Sequence, residues 1–333
     1  MPRAVCLGEI LIDCFAEQPG LARSEVTSWA PLPGGAPANV ACGLVKLGSE
    51  ADFIGAVGND HWGDALMTLL ADMGVGCQGV QRRRKAPTRQ VYVICNETDE
   101  GSEERFCHPV FAGFSESDPT VFADAHLFAD ALDLDRVLAD FLVLGTLSLA
   151  YDDTRQSVEC ALGLATAQEI PVLVDVNWRP MFWPQPTAAP GRIYDLISKA
   201  QFLKASEEEA EWLFGTTSPA AIAQQLPHLK GVLVTAGAGG CEYWLMGNAG
   251  AVPGFIVDVE ETLGASDAFT AGFVHQLLQK GTCCIEAAES ARNVVMYASA
   301  VGALTTTRPG AIAALPSAKE VEVFLYLNAK SLG

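Results

Sequence analysis

Short, uninterrupted apolar runs recur along this chain, and the stretches between them carry helical spacing. The runs fall at residues 4–12, 51–57, 141–144, 172–176, 202–204 and 231–235. A strand without a polar face offers nothing to water, so the sheet it joins must be covered on both sides. Helices between the strands supply that cover, because parallel neighbours need a long crossover. The expected fold is therefore α/β, with a three-layer α/β/α core around a mostly parallel central sheet. Segments 14–31 and 88–111 break the rhythm. The second alternates in Arg89-Gln90-Val91-Tyr92-Val93-Ile94, turns in the polar stretch 96–103 and resumes at Arg105-Phe106. Both are expected to form a small β-sheet lid on a single domain spanning residues 1–333.

The charge balance narrows the partners. Forty acidic residues against 21 lysines and arginines leave a formal charge of −19 with histidine neutral. Nucleic acid and anionic membrane surfaces attract net-basic proteins, so neither is an expected partner. An anionic ligand would need a local site of helix N-termini, a few arginines and a divalent cation. The 10 cysteines include no C-x-x-C pair and sit mostly in apolar runs such as Ala4-Val5-Cys6-Leu7. They read as free thiols of a reducing compartment, the cytoplasm, and not as a disulfide frame or a zinc site. Glu9 and Asp13 interrupt the apolar N-terminal run, which reads as a strand rather than a signal peptide. No uncharged apolar stretch reaches the length of about 18 residues that a membrane span needs.

Two segments carry candidate chemistry. In Gly34-Gly35-Ala36-Pro37-Ala38-Asn39, paired glycines allow close backbone approach, and an amide in the first helical turn can meet vicinal hydroxyls. The plainer alternative is a Gly-Gly turn before a helix with an early proline. In Glu261-Thr262-Leu263-Gly264-Ala265-Ser266-Asp267, small residues open a helix whose free N–H groups form an anion site. Asp267 would then be a general base for a hydroxyl attacking a bound phosphate, or else a helix cap.

The order and flanks of these segments resemble the signature regions of the PfkB family of carbohydrate kinases, which have a ribokinase-like fold. Further matching runs are Gly8-Glu9-Ile10-Leu11-Ile12-Asp13, the turn Gly55 to Gly63, Asp175-Val176-Asn177-Trp178-Arg179-Pro180, Ser206-Glu207-Glu208-Glu209 and Val234 to Gly240. Within the family the chain is most similar to fructokinases. The resemblance implies transfer of the γ-phosphate of ATP to a sugar, fructose to fructose 6-phosphate, with magnesium and a monovalent cation such as potassium.

It also implies roles. Asp13, Gly34, Gly35 and Asn39 would hold the sugar, with lid residues near Arg105 closing over it. Gly264, Ala265 and Ser266 would form the anion hole, Asp267 the base, and Arg179 would lie near the phosphoryl path. Thr235, Gly237, Gly240 and Ser299 would line the nucleotide, and Glu209 would act on magnesium through water. Each has an alternative: Asp13 could cap a turn, Arg179 pair with surface carboxylates, and Glu209 serve the helix dipole.

The family's D-T-x-G-A-G-D reads E-T-L-G-A-S-D here. If position 266 needs φ > 0, its serine is strained by about 1 kcal/mol or more. A protein that has kept the fold for binding or regulation is therefore a second reading. Kinases of ribose, 2-keto-3-deoxygluconate or a nucleoside are a third. A lid of few strands leaves an apolar face uncovered, so a homodimer paired through the lid is expected.

Overall fold

The computed structural model describes residues 2–97 and 107–328. Its strands are β1 (Arg3–Leu7), β2 (Leu11–Ala16), β3 (Trp29–Gly34), β4 (Glu50–Gly58), β5 (Gly76–Arg83), β6 (Gln90–Glu97), β7 (Cys107–Phe114), β8 (Phe141–Gly145), β9 (Val172–Asp175), β10 (Phe202–Ser206), β11 (Gly231–Thr235), β12 (Cys241–Leu245) and β13 (Asn248–Val252). The helices are α1 (Ala36–Lys46), α2 (His61–Met73), α3 (Leu134–Val137), α4 (Asp152–Ala167), α5 (Ala189–Ile197), α6 (Glu207–Phe214), α7 (Pro219–Gln225), α8 (Ala265–Lys280), α9 (Ala288–Thr305) and α10 (Ala318–Asn328).

Nine strands form one sheet in the order β13-β12-β11-β10-β9-β8-β1-β4-β5, parallel except at the β11–β12 and β12–β13 pairs. Both faces are apolar, as the uninterrupted runs require. Ala4 and Cys6 of β1 face a core shared with α1, α8 and α9, while Val5 and Leu7 face a second core under α4, α5 and α7. From β1 the chain runs outward to β4 and β5, then returns to β8 on the other side. Crossovers of opposite direction open a crevice at the carboxyl ends of the strands where the order reverses, which is where ligands bind in such sheets.

The apolar run at 4–12 is not one strand. β1 stops at Leu7, and Gly8-Glu9-Ile10 carries the chain out of the large sheet into β2. β2 belongs to a second, four-stranded sheet ordered β3-β2-β6-β7, in which only β2 and β6 run parallel. Its strands overlap the ends of segments 14–31 and 88–111 rather than filling them. β6 extends to Glu97, into the stretch expected to turn. Arg105 and the remainder of that turn lie outside the described residues.

Asp60 fastens the root of this sheet to the core. Its carboxylate accepts from Gly63 N, Thr88 N and Thr88 Oγ1, all at 2.8 Å, which holds its pKa below the ordinary aspartate value despite partial burial.

Three strands escaped the apolar-run reading. β5 is an edge strand that is only half-buried, so it needs no apolar run. β12 and β13 form a hairpin whose two turn residues, Met246 and Gly247, have φ of 47° and 92°. That turn type is ordinarily marked by Asn-Gly, and methionine hides it. Two residues of the basic run 82–85 are engaged: Arg82 Nη2 lies 2.6 Å from Asp64 Oδ1, and Arg83 stacks on Phe128. Among the described residues, eight cysteines are free thiols, and no helix is long and apolar enough to cross a membrane.

Candidate active site

The first signature segment is bent around two buried carboxyls. Gly35 is the N-cap of α1 with φ 105°, and a Cβ there would sit 2.5 Å from Glu9 O. Gly34 leaves room for Asp13, since a Cβ would come within 2.1 Å of Asp13 Oδ2. Both glycines are thus sterically required. The Gly-Gly turn with Pro37 in the first helical turn is also present, so the plain reading and the ligand reading describe the same atoms. Ala36 N donates to Glu9 Oε1 at 3.1 Å, so Glu9 caps the helix from outside it.

Asn39, in the first turn of α1, donates its Nδ2 to Asp267 Oδ2 at 2.8 Å. That contact joins the two signature segments, 228 residues apart in sequence. It depends on close helix packing one turn further on. A Cβ on Gly43 would lie 2.7 Å from Ala271 Cβ, and these residues stand four places after Asn39 and Asp267.

Gly264 caps α8 with φ 75°, and a Cβ there would strike Ala311. Positive φ is therefore needed at 264, where the glycine survives. Ser266 lies inside the helix, so the strain considered for its side chain does not arise. Asp267 is the third helical residue and makes no cap bond to its own helix, which removes the capping alternative. Ala265 N donates to Thr262 O at 3.3 Å, while among the described residues the N–H groups of Ser266 and Asp267 have no backbone partner at the start of α8, where Ala265 and Ser266 line a cleft.

This cleft, of about 680 Å³, runs along the carboxyl ends of β10 and β11. Arg179, Glu209, Thr235, Gly237, Gly240 and Ser299 all line it. Gly237 and Gly240 have φ of 53° and 101°, and Ser299 Oγ is buried without a partner. Arg179 is half-buried, donates to Trp178 O at 2.8 Å and lies over Phe111. No ion pair of Arg179 with a surface carboxylate occurs among the described residues.

Glu209 forms a capping box with Ser206 at the start of α6, and its other oxygen accepts from Trp178 N at 2.5 Å. Both carboxylate oxygens thus hold backbone. Among the described residues no cluster of three metal-ligating side chains is present.

Sequence reasoning missed Lys204. It is 2% exposed, and its Nζ donates to Asp175 Oδ1 and Oδ2 at 3.0 and 2.9 Å and to Ser266 Oγ. The available signal was a lysine inside an otherwise apolar strand, which must be paired to be buried. Burial alone would lower the pKa of its ammonium, but Asp175, with Glu209 beyond it, raises it above the ordinary lysine value.

Three carboxyls share the region beneath Gly34 and Asn39. Burial raises Glu9 to about 8, with Asp124 and Asp267 adding to the effect. Burial and the nearby Asp267 charge raise Asp13 to about 7, against Arg179. Asp267 is raised to about 6 by burial, partly offset by the Asn39 hydrogen bond. An aspartate of that kind, ionised near neutrality and buried beside a helix N-terminus, is suited to taking a proton from a hydroxyl.

The pfkB family carbohydrate kinase profile matches residues 1–318. "Probable fructokinase-2" of Arabidopsis thaliana is 33% identical over 328 residues, 97% of this chain and 96% of that protein. "Fructokinase-2" of Zea mays is 32% identical over 317 residues, 94% and 91% of the two chains. A fructokinase with bound ATP from Xylella fastidiosa has a TM-score of 0.85 at 29% identity, over 98% of this chain and 99% of that one. Fructokinase from Vibrio cholerae O395 in a fructose, ADP and calcium bound form has a TM-score of 0.81 at 28% identity, over 98% and 99%. The fold is the ribokinase-like α/β fold. The family match runs through both segments that meet at the Asn39–Asp267 hydrogen bond, and the chain belongs to the pfkB family of carbohydrate kinases.

Proposed function

We propose that this kinase transfers the γ-phosphoryl group of ATP to fructose and forms fructose 6-phosphate. The observation that carries the reading is the Asn39–Asp267 contact. It sets a base of raised pKa at the junction of a glycine-lined carboxyl pocket and an open cleft that begins at a helix N-terminus.

In this reading Asp13, Asn39 and the backbone of Gly34 and Gly35 hold the sugar hydroxyls. Asp267 accepts the proton of the attacking hydroxyl as its oxygen bonds to the γ-phosphorus and the bond to the β-phosphate oxygen breaks. The N–H groups of Gly264, Ala265 and Ser266 meet the charge of the group in transit, and Arg179 adds a cation beside it. Thr235, Gly237 and Gly240 border the nucleotide, and the unpartnered Ser299 Oγ is a polar contact for its base.

Phosphoryl transfer needs positioning and charge neutralisation more than covalent help, and these residues provide both. Magnesium supplies part of that neutralisation when bound with ATP. The glutamates of α6 fit such a role only through water for Glu209, whose oxygens already hold Ser206 and Trp178. A monovalent cation is a further proposed ligand; a related Vibrio cholerae fructokinase variant is described in a potassium-bound form.

Arg105, a proposed sugar contact, lies outside the described residues, and the small sheet is proposed to act as a lid within a single kinase domain. Pairing of two lids in a homodimer would cover the sheet's outer face. The free thiols fit a cytoplasmic setting.

A panel of sugars with ATP and magnesium, followed by ADP release, tests the reading. Activity on fructose above ribose, 2-keto-3-deoxygluconate and nucleosides is the expected result. Activity on another sugar would overturn the substrate, and silence across the panel would favour a binding or regulatory protein.

A further inference from the structure

The ammonium of Lys204 has three N–H donors, and Asp175 takes two of them. Those two residues are register partners on the adjacent parallel strands β9 and β10. Thr270 of α8 donates to Asp175 Oδ2 at 2.8 Å, so that carboxylate holds both the strand lysine and α8. A lysine present only to form an ion pair would need nothing more. The third donor instead reaches Ser266 Oγ in the first turn of α8, one residue before Asp267.

Ser266 is exposed in the cleft. A hydroxyl that accepts from an ammonium keeps its own proton for another acceptor. The acceptor suited to this position is a phosphate oxygen, because the unpartnered N–H groups of Ser266 and Asp267 lie in the same first turn of α8.

We propose that Lys204 is a positioning residue for phosphoryl transfer: it fixes the Ser266 hydroxyl so that its proton is donated to the γ-phosphoryl group. Where the related motif has glycine and relies on backbone N–H groups alone, this chain adds a side-chain donor with a buried cation behind it. The serine is then a working part of the anion hole. The inference rests on the kinase reading above, and its test separates the two.

ATP and ADP affinities are measured by calorimetry without sugar, and kcat and KM with fructose, for Ser266→Ala, Ser266→Gly and Ser266→Thr. Loss of the hydroxyl in the first two should weaken ATP by about tenfold relative to ADP, as expected for one hydrogen bond to a charged group. It should also lower kcat toward the 10²–10³-fold that removal of one such donor costs, while the sugar KM holds. Ser266→Thr should restore both. Lys204→Met is made together with Asp175→Asn, so that no buried charge is stranded, and thermal melting confirms folding. It should show the same selective loss of ATP over ADP, and adding Ser266→Ala to it should lower the ratio no further.

Ser266→Ala and Ser266→Gly variants that keep the parent's ATP-to-ADP affinity ratio and turnover would overturn the proposal. So would a Lys204 variant that loses ATP and ADP equally. A parent that phosphorylates no sugar would overturn the kinase reading, while the affinity ratio would still decide whether Lys204 and Ser266 address a γ-phosphate.

Discussion

Burial of Asp267, offset in part by the hydrogen bond from Asn39, sets the pH at which the proposed chemistry runs. Asp267 works as a base only when ionised, and burial raises it to about 6. kcat/KM should therefore climb with pH through about 6 and level off above it; a flat profile from pH 5 to 8 would contradict the assignment. Asn39→Ala removes the contact that lowers this pKa, so the profile should move to higher pH while the sugar KM rises.

Glu9 gives the opposite sign in stability. Its folded pKa, about 8, lies above the ordinary 4.5, so its contribution is fully present below about 4.5 and is lost progressively as pH rises to about 8. Glu9→Gln should remove that loss, leaving a melting temperature less dependent on pH between about 5 and about 8 than the parent's. An unchanged slope in thermal melts would refute it. Asp267 and Asn39 were legible in the sequence because they stand in short motifs of fixed order. Lys204 was not, because it reads as the end of a strand until Asp175 and Ser266 are seen beside it.

At the scale of elements, the site is made by α1 and α8 lying close enough for their first turns to meet. Gly43 against Ala271 fixes that separation, and Gly272 does the same between α8 and α9, where a Cβ would lie 3.0 Å from Ala298 Cα. Gly43→Leu overfills the first contact. Overpacking typically costs about 1–3 kcal/mol, and a displacement of about 1 Å in a reacting group about 10²-fold in rate. The variant should fold with a lowered melting temperature and lose at least tenfold in kcat/KM for fructose. Parent kinetics in a stably folded Gly43→Leu protein would show that the helix separation is not limiting. The buried strands were legible because both their faces are apolar. The hairpin β12–β13 was not, because Met246 occupies a positive-φ turn position without the usual residue type. The break after Leu7 was missed because strand propensity continues through it; only the buried Glu9, reaching Ala36 N, marks the exit.

Over the whole molecule, the carboxyl ends of the large sheet border the cleft, and the small sheet, rooted through Asp60 and Thr88, carries Asp13 on β2. The proposed homodimer, paired through this four-stranded sheet, should sediment as a dimer at micromolar concentration. A monomer there would count against pairing through this sheet. The mostly parallel sheet and its small companion were legible from the apolar runs and the alternating segment, whereas the order of the strands was not, because an apolar run shows that a strand is buried but not which strands are its neighbours. The account turns on Asp267 as the group that receives the sugar hydroxyl's proton. The most direct measurement is fructose phosphorylation by Asp267→Asn alongside ATP affinity by calorimetry. Turnover should fall by about 10²–10⁴-fold, the usual loss for a positioned base, while ATP affinity stays near the parent's. Phosphorylation at the parent rate in that variant would contradict the account.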